Sequence, residues 1–76
     1  MDSIRPIHYK KFEAFLKKVG CRLVRTEGDH RAWDRSDLFR PVIVRALKDI
    51  PVFEIKSNLR TLGITNQEYL TILSSL

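Results

Sequence analysis

After Pro6, which a helix interior excludes, apolar residues recur at Tyr9, Phe12, Phe15, Leu16 and Val19, the spacing of one helical face. Lys10, Lys11, Glu13, Lys17 and Lys18 fill the other face, and the lysines of the last turn suit the negative end of the helix dipole. Gly20 supplies the left-handed residue that ends the helix. The period then changes. Cys21–Thr26, with Leu23 and Val24 between arginines, reads as a strand, and a polar bend around Gly28 turns the chain. His30–Asp34 returns as a second strand, with His30, Ala32 and Asp34 on one face and Arg31, Trp33 and Arg35 on the other. Alternation alone leaves open which face meets the core. An inward Trp33 would oblige Arg31 to snorkel at the sheet edge. Two arginines on its face favour a partly exposed indole.

Arg35–Phe39 is a second turn, and Arg40–Arg45 a third, β-branched strand with Pro41 suited to its start or to an edge. Residues 46–50 connect to a second helix, with Pro51 in its first turn, apolar positions at Phe53, Ile55, Leu59 and Leu62, and Gly63 as its close. Thr65-Asn66-Gln67-Glu68 is a capping-box pattern opening a short last helix through Tyr69, Leu70, Ile72 and Leu73. Tyr69, Leu70 and Leu73 read as core, with a lesser claim to a partner surface. Short connections make the three strands an antiparallel meander, and amphipathic helices must cover one of its faces. The pattern predicts an α+β fold with a sheet face left open.

Composition adds a charge argument. Of 76 residues, 43% are hydrophobic and 30% charged, which suits a globular chain. The net charge of +5 is uneven: residues 1–60 carry all 14 Lys and Arg and 8 of the 9 acids, whereas residues 61–76 hold only Glu68. A basic body with an apolar tail suits an anionic partner, against the plainer reading of a solvated surface. One cysteine and two histidines argue against a structural metal site, so no cofactor is expected. The first residues lack the layout of a signal peptide and no apolar run could span a bilayer, so a cytoplasmic location without membrane attachment is expected.

The run Gly20-Cys21-Arg22-Leu23-Val24-Arg25-Thr26-Glu27-Gly28-Asp29-His30-Arg31 resembles the glycine, aromatic, arginine, glycine-serine-histidine signature of the HicA (YcfA-like) toxins. Ile55-Lys56-Ser57-Asn58-Leu59-Arg60-Thr61-Leu62-Gly63-Ile64 and the acidic, aromatic segment after it look like that family's ending. The likeness covers nearly the whole chain, as one domain over 1–76. It implies a fold similar to double-stranded-RNA-binding domains, α-β-β-β-α with a short extra C-terminal helix. It also implies the toxin of a toxin–antitoxin pair, cutting messenger RNA until a HicB antitoxin blocks it. Position by position, His30 matches the histidine on which the family's ribonuclease activity depends, Gly28 the turn glycine and Arg25 the basic residue ending the first strand. Two departures stand out. Asp29 replaces a small residue, usually serine, and puts negative charge beside the phosphate site. Val44-Arg45-Ala46-Leu47 stands where the family often has a proline and a histidine.

Metal-free RNA cleavage needs a base for the 2′-hydroxyl, a proton donor for the 5′ oxygen, and cations for the crowded phosphorane. A histidine suits either proton role, and Arg25, Arg31 and Arg45 can supply the electrostatic part. Lys10 and Lys17 sit on what is first of all a solvated helix face, although such lysines can lie along a phosphate backbone. His8 is expected to cap the first helix. The alternative is a catalytically silent module of the same architecture that binds RNA or protein.

Overall fold

The computed structural model describes residues 3–46 and 48–76. The element order is α1 (Tyr9–Lys18), β1 (Arg22–Glu27), β2 (His30–Asp34), β3 (Val42–Arg45), α2 (Val52–Leu62) and α3 (Asn66–Ser74). The strands form one antiparallel sheet in the order β1-β2-β3, giving the α-β-β-β-α plan plus a C-terminal helix. Among the described residues, no helix is long and apolar enough to cross a membrane.

Local chemistry sets the boundaries. His8 is the N-cap of α1, its Nδ1 accepting the Lys10 N–H at 3.2 Å. At the other end Gly20, with φ +92°, lets Cys21 N–H reach back to Leu16 O at 2.9 Å and its own N–H to Lys17 O at 3.1 Å. Pro51 precedes α2 as its extended N-cap, not within its first turn. Thr65 and Glu68 form the reciprocal capping box, and the hydrogen bonds from Thr65 hold the Glu68 carboxyl below the usual range.

The core fills one face of the sheet. Trp33, Val42 and Val44 meet Phe12, Phe15 and Leu16 of α1, Ile55, Leu59 and Leu62 of α2, and Tyr69 of α3. Trp33 is 2% exposed, which corrects the expectation of a partly exposed indole. That expectation rested on the two arginines of its face, and both find partners inside the fold. Arg31 Nε donates to Glu13 Oε2 at 2.6 Å, and the Trp33 indole N–H donates to the same oxygen at 2.8 Å. Arg35 donates to Val19 O at 2.8 Å and Leu62 O at 3.2 Å, satisfying carbonyls at the ends of two helices, while Asp37 holds its Nε at 2.6 Å. Glu13 is therefore not on the solvated face of α1. Among the described residues it is the only charged side chain in the buried set.

Phe53 is a second correction. It is 71% exposed and takes no part in the α2 core face, which begins at Ile55. β1 is exposed along its whole length and carries a bulge between Leu23 and Arg25.

Tyr69 packs edge-on to Phe15, with ring centroids 4.8 Å apart, yet its buried hydroxyl has no hydrogen-bond partner among the described residues. Burial pushes the phenol up to about 12. Its folded pKa lies above the unfolded value of about 10, so the corresponding stability is complete below pH ~10 and is lost as pH rises towards 12. Tyr69→Phe keeps the ring and deletes the unpaired group. It is expected to be neutral or stabilising by about 1 kcal/mol at neutral pH, and to resist alkali better. Urea titrations of both proteins at neutral and alkaline pH check this; a clear loss at neutral pH would contradict it.

Candidate functional site

Glu27 and His30 face each other across a two-residue turn, so Gly28 and Asp29 alone reverse the chain. Gly28 has φ +58° and Asp29 has none of the left-handed character, the sign pattern of a II′ hairpin turn. A Cβ at Gly28 would meet nothing within 4 Å, so its glycine answers to backbone conformation rather than crowding. The Asp29 carbonyl accepts the Ala46 N–H at 2.7 Å, which draws the end of β3 against this turn.

His30 opens β2 on the uncovered face, and its side chain is 58% exposed. In register, its neighbours are Glu27 on β1 and Arg45 on β3. Asp29 Oδ1 lies 3.0 Å from its Nδ1, so a carboxylate stands against one ring nitrogen. His30, Ile43 and Arg45 form one wall of a groove of about 260 Å³, and Phe53, Glu54, Ser57 and Asn58 of α2 form the other. Arg45 reaches across it to Glu54, Nη1 to Oε1 3.8 Å.

The structure divides the residues expected at the site. Arg45 shares the groove with His30, and Gly28 builds the turn that presents it. Arg25 lies on the same face one pair further along and is ion-paired to Glu27 at 2.9 Å. Arg31 alternates to the covered face, where the hydrogen bond to Glu13 raises its pKa further. Lys17 lies 5.9 Å from the Trp33 ring centroid, a cation–π contact on the covered side of the sheet. Lys10 is exposed in the first turn of α1. Leu47, within the segment that departs from the family pattern, lies outside the described residues, as do Met1 and Asp2.

The immediate surroundings of His30 hold one acid more than they hold arginines. Arg25 and Arg45 are each matched by a glutamate, and Asp29 adds one more acid. The groove also contains a second group able to carry a proton, Glu54, which the sequence did not single out. The available signal was spacing: Glu54, Ser57 and Asn58 recur at i, i+3 and i+4, a polar stripe along α2. The buried Cys21 thiol is pushed up by desolvation and is not a nucleophile of the site.

Fold and site together define a small basic α+β protein of α-β-β-β-α order, with an exposed histidine presented by a hairpin turn. The family described as HicA toxin of bacterial toxin–antitoxin matches residues 9–64 of the 76, and the chain belongs to that family. Membership implies an antitoxin as partner. Searches of curated proteins and of solved structures gave no match.

Proposed function

We propose that this protein is a HicA toxin that binds messenger RNA and cleaves it as a metal-independent endoribonuclease in the groove of His30, countered by a HicB-like antitoxin. The observation that carries the reading is the lining of one groove by an imidazole, a carboxylate and a guanidinium: His30, Glu54 and Arg45. These are the three kinds of group that internal transesterification needs. Glu54 takes the proton of the 2′-hydroxyl, whose oxygen attacks phosphorus. The bond from phosphorus to the 5′ oxygen breaks, and the His30 imidazolium gives that oxygen its proton. Arg45 stabilises the charge on the phosphorane. The products are a 2′,3′-cyclic phosphate and a 5′-hydroxyl.

The excess of acid around His30 favours a second reading, a module that binds RNA or protein without cutting. Incubating the purified chain with single-stranded RNA in excess EDTA, and identifying the ends produced, separates the two. Cyclic phosphate ends, absent when the RNA is 2′-O-methylated, support the nuclease. RNA bound but left intact overturns it in favour of the second reading.

A further inference from the structure

A second groove, of about 390 Å³, adjoins the first and is lined by Phe39, Arg40, Ser57, Arg60 and Thr61. Ser57 lines both, so the two form one path along the edge where α2 meets β3. Each groove pairs an exposed phenylalanine with arginine. Phe53 is 71% exposed and Phe39 is fully so. A single exposed phenylalanine needs no explanation. Two rings in adjoining hollows, each beside guanidinium groups, match the stack-and-grip arrangement by which proteins hold single-stranded nucleic acid.

We infer that a single strand of RNA follows this path, seating one unpaired nucleobase against Phe53 and another against Phe39. The inference rests on the reading of the first groove as an RNA site. Charge supports the direction of the path. Arg45 is shared with Glu54, whereas among the described residues neither Arg40 nor Arg60 has a carboxylate within 4 Å. The second groove therefore supplies the free cations for the backbone, and the first supplies the reacting groups. A duplex keeps its base faces stacked on one another, so two aromatic platforms have no use for it. The volume of the first groove is near the lower end of small-ligand sites, a fit for one planar base. Glu54, Ser57 and Asn58 give that groove both donors and acceptors, so base preference belongs there. The second groove offers mainly guanidinium and hydroxyl groups and holds any base.

The test uses the full chain and a short fluorescent 2′-O-methyl oligonucleotide, which binds but lacks the nucleophile. Phe53→Ala and Phe39→Ala are each expected to weaken single-strand binding about tenfold, and Phe53→Trp to preserve it. Arg40→Gln and Arg60→Gln are each expected to lower the salt dependence by the equivalent of about one phosphate contact. The duplex of the same sequence should bind more weakly than the single strand. Both rings are exposed, so unchanged melting temperatures confirm that the variants fold. Alanine variants that bind as the wild type does, while wild-type protein still cuts RNA, would overturn the path and leave the nuclease standing. A wild-type protein that neither binds nor cuts RNA would remove both. Variants that lose only antitoxin affinity would make the grooves a protein-docking surface, which also overturns the path.

Discussion

His30→Ala is expected to lower RNA cleavage by about 10³-fold, while leaving the melting temperature and the binding of 2′-O-methyl RNA close to wild type. General acid–base groups contribute on the order of 10² to 10⁴ in rate, and His30 is the only imidazole of its groove. Its exposure means that truncation opens no cavity and unpairs no buried group. Glu54→Gln is expected to cost about 10² with RNA binding retained, because the amide keeps the shape but cannot take a proton. A Glu54→Gln protein that cuts RNA at the wild-type rate would remove Glu54 from the reaction, and an active His30→Ala protein would remove His30.

Glu13→Ala is expected to have the largest effect on stability, about 3 kcal/mol. One carboxylate oxygen accepts from both Arg31 and Trp33, and Glu13 is buried. Its removal strands a buried indole N–H and a half-buried guanidinium at once, and breaking one partner of a buried pair typically costs 3 to 5 kcal/mol. The lower end applies because Arg31 keeps some contact with water. In a domain this small each kcal/mol moves the melting temperature by roughly 4 to 8 °C, so the variant should melt far lower or be unfolded when purified. Glu13→Gln retains an acceptor for Trp33 and should lose about half as much. Thermal melts of the three proteins decide it. Near-equal stability of Glu13→Ala and wild type would show that the two donors find water without cost.

Most of the secondary structure was legible because local signals coincide with it. The helical spacing from Tyr9 to Val19, the glycines at 20 and 63, and the Thr65–Glu68 box each act within a few residues. The misreadings have a common form. Glu13 and Phe53 break the binary pattern, a charge on the inner face of α1 and an aromatic on the outer face of α2, and position alone assigned each to the wrong environment. The Trp33 face could not be chosen because the partners that shelter Arg31 and Arg35 come from α1, from the next turn and from the end of α2. Arg25 and Arg31, both near His30 in sequence, end on opposite faces because strand side chains alternate.

By itself the sequence determined the element order, the hairpin turn at Gly28-Asp29, the histidine it presents and the family to which the chain belongs. Those features are written in contiguous residues, where spacing and backbone preference act directly. Only the tertiary structure decided which sheet face is covered, and that Arg45 and Glu54, not Arg31, stand in the groove with His30. That grouping depends on β3 pairing beside β2 and on α2 folding back along its edge, contacts between residues far apart in the chain that no local pattern encodes.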